Sequence, residues 1–324
     1  MIFFFIIFIS SFLITYLVRQ FAIKKSIMDI PNERSSHTIA TPRGGGLAIA
    51  ITWFSGITFL FFTNDIDSNL YYALISGILI SIISFIDDIY NLKSTPRIFV
   101  QAICAGLALY FVGGLQKLDL GFYVIENVYL LSAIAFIGII WFINLFNFID
   151  GIDGYTASET IFIAIALFLL TGQSLSLILA FSALGFLIWN WQKAKIFMGD
   201  IGSTLLGFTI IVIAIHYQNT NEISLINSLI LTSVFWFDAT YTLFKRFLNK
   251  EKLSQPHRKH FYQRIVQSGF SHQKTVLYAM FINVILFLLI YLTSKNSNII
   301  LFSLFINLLL LFIVSKLIDK RKPF

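Results

Sequence analysis

The chain has 324 residues, 57% of them apolar and only 12% charged, with 36 Phe and a mean hydropathy of +0.83. A soluble domain carries about 25% charged residues, so a solvated shell cannot be built here, and the hydrophobicity also excludes disorder. The lone Cys104 excludes a disulfide scaffold, and the net charge of +7 finds its explanation in where the basic residues lie.

Apolar runs long enough to cross a hydrocarbon core of ~30 Å fall at about 2–18, 46–63, 70–86, 98–114, 129–146, 160–171, 175–190, 203–218, 224–243, 275–292 and 298–315. They do not alternate as barrel strands would. The expected fold is therefore all-α, a polytopic integral membrane protein with about eleven transmembrane helices. The first run has no basic residues before it; Arg19, Lys24 and Lys25 follow it, so it reads as a mature helix and not a signal peptide.

If the loops after the odd-numbered spans share one side with the C-terminal tail, that side holds 21 of the 23 Lys and Arg. Only Lys117 and Lys295 fall on the other. The positive-inside rule then puts the N-terminus outside and the C-terminus in the cytoplasm. No internal repeat is visible, so the inverted-repeat mark of many transporters is missing.

Asp87, Asp88, Asp150, Asp153, Asp200 and Asp238 all lie at or just beyond the cytoplasmic ends of predicted spans. Helix-end solvation would account for any one of them. Six at one depth, where an ionised carboxylate is costly, point to a polar cavity facing the cytoplasm. Within Trp141 to Gly154, the residues Asn144, Asn147, Asp150 and Asp153 recur every three positions, which makes successive members neighbours on a helix. Gly151 and Gly154 allow unwound backbone beside them. Asp87-Asp88 ends the third span; adjacent acids on a helix diverge by about 100°, so one can face a ligand while the other supports it. A carboxylate pair of this kind can hold Mg²⁺ or act as a base.

Phe197-Met198-Gly199-Asp200-Ile201-Gly202-Ser203 precedes the eighth span. A carboxylate beside a helix start, capped by Gly202 or Ser203, suits a metal–phosphate ligand. The longest hydrophilic stretch, 244–274, contains Ser254-Gln255-Pro256-His257-Arg258-Lys259-His260. With Pro256 in a first helical turn, His257 and His260 would share a face and form a phosphate clamp with the two cations. A basic loop attracted to anionic lipids is the plainer reading of the same run. His216 and His272 stand alone and receive no role, and Asp238, beside Lys245-Arg246, is either part of the site or a structural ion pair, with the ion pair the preferred reading.

Taken in order, Asp87-Asp88, Asn144-x-x-Asn147-x-x-Asp150-Gly-x-Asp153-Gly, Phe197-Met-Gly-Asp200-x-Gly-Ser and His257-Arg-x-His260 resemble the motifs of the polyprenyl-phosphate N-acetylhexosamine-1-phosphate transferases. The segments Pro31-Asn32-Glu33-Arg34-Ser35-Ser36-His37 and Thr41-Pro42-Arg43-Gly44-Gly45-Gly46 are similar to those of bacterial members. The resemblance implies Mg²⁺ (or Mn²⁺), a UDP-activated amino sugar and undecaprenyl phosphate in the bilayer. The product would be a polyprenyl-diphosphate sugar, with UMP released. Position by position it implies metal binding by Asp200 and Asn147. It implies uracil binding by Phe197 and Asn190, with Gly151 to Asp153 near the same base and Asn144 among the substrate contacts. His257, Arg258 and His260 would bind the diphosphate and sugar, and Asp87 with Asp88 would be the base toward the lipid phosphate. Asp150 and Asp153 complete the catalytic set, and direct attack and a covalent aspartyl intermediate both stay open. The His-Arg-x-His motif is closer to members that start O-antigen or capsule-type glycans than to the triple-histidine peptidoglycan-precursor enzyme.

The expectation is thus a single transmembrane transferase domain over 1–324 in the bacterial cytoplasmic membrane. Its site would be formed by loops 19–45, 87–97, 147–159, 191–202 and 244–274, and a homodimer is an additional candidate assembly. A transporter for lipid phosphate or nucleotide sugar is the rival from another class. It would carry its charges near the bilayer midplane, not at one face.

Overall fold

The computed structural model describes residues 1–31, 38–90, 92–253, 255, 257–294 and 296–324. Residues 32–37, most of the first loop motif, lie outside the described residues, as do Asn91, Ser254, Pro256 and Lys295. Among the described residues the chain forms fourteen α-helices and two small two-stranded sheets. The helices are α1 (Ile2–Lys24), α2 (Gly46–Phe62), α3 (Ser68–Ile75), α4 (Gly77–Tyr90), α5 (Ser94–Val112), α6 (Val128–Ile149), α7 (Tyr155–Thr171) and α8 (Leu175–Asn190). There follow α9 (Gly199–Asn219), α10 (Leu225–Leu231), α11 (Ser233–Leu248), α12 (Phe261–Gln267), α13 (His272–Thr293) and α14 (Ile300–Arg321).

Seven helical stretches are long and apolar enough to cross a membrane, with α3 and α4 counted as one, and α2, α7 and α8 are shorter apolar helices. The molecule is a polytopic membrane protein. Each predicted apolar run coincides with one helix or, for 70–86 and 224–243, with a broken pair. Helix ends follow ordinary capping chemistry. Asp67, Asn127 and Ser271 accept backbone N–H groups at the starts of α3, α6 and α13, and left-handed Gly113 and Gly172 stop α5 and α7.

Helix α9 is the central element, buried over 83% of its apolar window and packed by α2, α4 and α6. Large apolar side chains of α1, α5, α13 and α14 face outward, as lipid-facing surfaces require. The start of α7 departs from the predicted span. It begins at Tyr155, five residues before the apolar run, because its polar first turns are buried in protein. Glu159 is wholly buried there and accepts a hydrogen bond from Asn283 Nδ2 at 2.6 Å. Held by that bond, a carboxyl sits inside a bundle that hydropathy alone would end.

Candidate active site

Two glycine-containing motifs, far apart in sequence, are joined by backbone bonds. The strand β1 (Met28–Asp29) pairs antiparallel with β2 (Thr41–Pro42). Pro42 O then accepts the Phe197 N–H at 2.8 Å, Phe197 O accepts the Gly45 N–H at 2.9 Å, and Met198 O accepts the Gly46 N–H at 2.8 Å. A Cβ on Gly46 would come within 2.3 Å of Gly202 N, so only glycine allows α2 and α9 to approach this closely.

This clamp sets Asp200 in the first turn of α9, where a carboxylate suits the helix dipole. The helix starts at Gly199, four residues before the expected start, and Gly202 and Ser203 are inside it, not capping it. Asp87 and Asp88 are in the last turn of α4 and are buried. They diverge as adjacent helical residues must. Asp87 Oδ2 bonds Arg97 Nη1 at 2.6 Å, while Arg97 Nη2 reaches Asp200 Oδ2 at 2.8 Å. Asp88 turns toward the cavity. Its Oδ1 accepts the Asp200 N–H at 3.3 Å, its backbone O accepts from Arg43 Nη2, and its Oδ2 is buried without a hydrogen-bond partner.

Helix α6 runs through Asn144 and Asn147 and ends at Ile149, with Asp150 as its C-cap. The period-three pattern therefore breaks before Asp153, which lies beyond the helix. Asn144 faces sideways, donating to Gln101 Oε1 at 2.8 Å, and does not line the cavity. Asn147 donates to Ser203 Oγ at 3.2 Å, leaving its amide oxygen as the atom suited to a cation. Burial pushes the Asp150 carboxyl up to about 7, and the Asp200 charge adds to the effect. Asn190 shapes the next turn: its Oδ1 accepts the Gly154 N–H at 2.9 Å and its Nδ2 donates to Ile196 O at 2.9 Å. Asp153 Oδ2 accepts the Ala194 N–H at 3.2 Å and lies 3.2 Å from His272 Nδ1.

The histidine motif is extended, not helical, because α12 begins only at Phe261 with His260 as its N-cap. The two rings still meet, with centroids 4.8 Å apart. Asp238 organises the turn. It is almost fully buried, its Oδ1 is 3.1 Å from His260 Nδ1 and accepts the Phe261 N–H at 2.9 Å, and its Oδ2 accepts the Tyr262 N–H at 3.4 Å. Its partners are thus His260, a helix start and the Thr242 hydroxyl, which donates to Oδ1 at 3.0 Å, since Lys245 pairs with Asp319 and Arg246 with Glu251. Tyr262 closes the gap to the Asp150 loop by donating from its hydroxyl to Phe148 O at 3.2 Å. Burial, with His260 and Arg246 nearby, pushes His257 down to about 4, so its imidazole is neutral at neutral pH.

These elements enclose a cavity of about 280 Å³ lined by Asp29, Asp88, Asp150, Asp153 and Asp200, with Arg43 as its one lining Lys or Arg among the described residues. Asn147, Gly151, Asn190, Phe197, Ser203, Gln263 and His272 also line it, whereas Asp87, His257, Arg258 and His260 do not. Among the described residues no three His, Cys, Asp or Glu side chains converge on one point. Mg²⁺ does not require that, because it is usually held by one or two carboxylates and substrate phosphates. The unpartnered Asp88 oxygen beside Asp200 and the Asn147 amide is a hard-oxygen donor set of that kind.

A model of glycosyl transferase family 4 matches residues 70–218. Across 338 residues, the chain is 30% identical to the probable undecaprenyl-phosphate N-acetylglucosaminyl 1-phosphate transferase of Bacillus subtilis (strain 168), covering 98% of this chain and 92% of that one. The chain belongs to glycosyl transferase family 4, among the polyprenyl-phosphate N-acetylhexosamine-1-phosphate transferases. The undecaprenyl-phosphate alpha-N-acetylglucosaminyl 1-phosphate transferases of Yersinia pestis and Escherichia coli (strain K12) are 30% and 28% identical, each over 83% of this chain and 77% of theirs. The family 4 match spans Asp87 to Asp200 but stops short of the histidine motif, which only the longer alignments reach.

Sequence reasoning passed over Arg97, Gln263 and His272, which the fold brings to the site, and favoured an ion-pair role for Asp238, which instead holds His260. Nothing flagged His272, which stands 119 positions from Asp153 in the chain. Arg97 did carry a signal, lying at one face of the membrane near an acidic pair.

Proposed function

We propose that this family 4 member transfers N-acetylglucosamine 1-phosphate from its UDP-activated form to undecaprenyl phosphate, releasing UMP. The lipid-linked diphosphate sugar would start a cell-surface glycan such as an O-antigen, capsule or wall polymer. The names of the relatives support the acceptor and the sugar. The charge asymmetry of the loops supports a single transmembrane domain in the bacterial cytoplasmic membrane, with an outside N-terminus and the site facing the cytoplasm.

The observation that carries the reading is the cavity's charge. Five carboxylates against one guanidinium would repel a nucleotide diphosphate unless a divalent cation reversed the sign. Asp200, Asn147 and Asp88 are the residues that would hold Mg²⁺, or Mn²⁺ in its place. A bound ion of that kind neutralises diphosphate oxygens and the charge on a departing phosphate.

The chain's own residues supply the rest. An oxygen of the lipid phosphate bonds to the β-phosphorus, and the bond from that phosphorus to the bridging oxygen breaks, its electron pair leaving with UMP. The lipid phosphate attacks fully ionised, its proton having passed to solvent water, and the Arg97–Asp87 pair fixes the end of α4 that carries Asp88. Arg43 and Arg258 offset charge on the two phosphates, and His257, neutral at neutral pH, orients them by hydrogen bonds together with His260. Phe197, Asn190, Gly151 and Asp153 form the nucleobase end of the cavity. The polyprenyl tail stays in the bilayer, which is why such chemistry belongs on a membrane protein.

Asp200→Asn tests this assignment. It should abolish turnover while leaving expression and monodispersity intact, and a wild-type rate at saturating Mg²⁺ would refute it.

A further inference from the structure

A second cavity, of about 520 Å³, lies between α11, α12, α13 and α14. Tyr155 and Tyr262 line it, and the Tyr262 hydroxyl reaches Phe148 O next to the Asp150 loop of the catalytic cavity. Its lining is mostly apolar, with Phe237, Ala279, Ile282 and Leu311 along its length. Its mouth is basic: Arg264 comes from α12, and Lys320, Arg321 and Lys322 from the end of α14.

Arg264 is the decisive residue. It is only 2% exposed. Its Nη2 pairs with Asp319 Oδ1 at 2.6 Å, its Nε donates to Lys322 O at 3.1 Å, and the Phe324 ring lies 5.6 Å from the guanidinium carbon. Its Nη1 is buried and has no acceptor. A buried charged donor left unsatisfied is costly, and the nearby anions are already engaged. Asp319 is shared with Lys245, and Asp238 serves His260 and two backbone N–H groups. The missing partner is an anionic oxygen from outside the chain, attached to something that fills an apolar groove.

We propose that this groove binds one anionic glycerophospholipid of the phosphatidylglycerol class. Its phosphate accepts from Arg264 Nη1 among the surrounding cations, and an acyl chain lies along α13 and α14. The site is independent of the transfer reaction, but it bears on the catalytic end through the backbone. The Arg264 N–H donates to His260 O at 3.0 Å, so a headgroup on Arg264 fastens the helix that His260 caps.

The test is native mass spectrometry of the full chain in detergent, titrated with palmitoyl-oleoyl phosphatidylglycerol and with phosphatidylcholine carrying the same chains. One phosphatidylglycerol should be retained with at least about a tenfold preference, the scale set by a few basic groups at a lipid headgroup. Arg264→Gln should bring that preference close to unity. Because Arg264→Gln also breaks the Asp319 pair, Ile282→Trp serves as a second variant, filling the groove with Arg264 intact and lowering retention of both lipids. Lys117→Gln should change neither. Equal retention of the two lipids by the wild type would overturn the proposal. So would phosphatidylglycerol retention that survives both groove variants, or its one-for-one displacement by undecaprenyl phosphate, which would give the groove to the acceptor lipid.

Discussion

Asp238 and His260, twenty-two residues apart, form a buried pair with Oδ1 and Nδ1 separated by 3.1 Å. The same carboxylate accepts the first backbone N–H groups of α12, so one side chain both orients the imidazole and starts the helix that carries it. Replacing Asp238 with Ala removes an acceptor from four donors at once, the Thr242 hydroxyl included, and should cost about 3 kcal/mol or more of stability. Asp238→Asn keeps the shape but changes which ring nitrogen can carry the proton. Its turnover should fall roughly 10–100-fold, the usual loss when a partner orienting a site histidine is removed. Wild-type turnover in Asp238→Asn would show that the orientation of His260 is immaterial.

Arg97 links Asp87 and Asp200 at 2.6 and 2.8 Å. Arg97→Gln leaves these two carboxylates without their shared counter-charge. Turnover should drop about 10²–10³-fold, as when one charge-stabilising donor is lost from an active site. Thermal stabilisation of the variant by added Mg²⁺ should exceed that of the wild type, because a cation then relieves a repulsion that Arg97 otherwise masks. An unchanged Mg²⁺ response would separate Arg97 from the cation site.

Asp150 predicts opposite pH trends for activity and stability. With its carboxyl pushed up to about 7, the ionised form that draws a cation into the cavity gains population as pH rises from about 6 to 8. Turnover should climb over that interval, and Asp150→Asn should be slower with the climb removed. Stability runs the other way. The folded state holds this proton more tightly than the unfolded chain, whose carboxyl titrates near 3.8. The resulting stabilisation is fully present below that value and is lost as pH rises through about 7. Thermal midpoints recorded from pH 5 to 8 should therefore decline more steeply in the wild type than in Asp150→Asn.

Gly199 has φ +74°, and a Cβ there would sit 2.5 Å from Asp88 Oδ2. Gly199→Ala should lose about 1–3 kcal/mol from backbone strain and displace the carboxyl that faces the cavity, lowering both thermal midpoint and turnover. Gly106→Ala is the control: nothing lies within 4 Å of its Cβ in the interior of α5. It should be neutral or add up to about 1 kcal/mol.

The sequence made the helical membrane architecture readable because each apolar run is long and the charges sort by side. It failed where polar side chains are buried inside the bundle. The first turns of α7, with Glu159 on Asn283, carry no hydropathy signal, and the start of α9 was set too late for a similar reason. The acidic motifs announced themselves through repetition next to apolar spans. Local spacing misled for Asn144, which turns to Gln101, and for His257 and His260, whose meeting depends on a cap from α11 and not on a shared helical face. The pairings Arg97–Asp200, Asp238–His260 and His272–Asp153 join residues far apart in the chain, and linear spacing carries no trace of them.

The most direct measurement is UMP release by purified protein given undecaprenyl phosphate, Mg²⁺ and a panel of UDP-amino sugars. The account predicts release that requires lipid and metal together and is fastest with UDP-N-acetylglucosamine. No release with any donor, from protein shown to be folded, would contradict it and turn the aspartate cavity into a binding site without transfer chemistry.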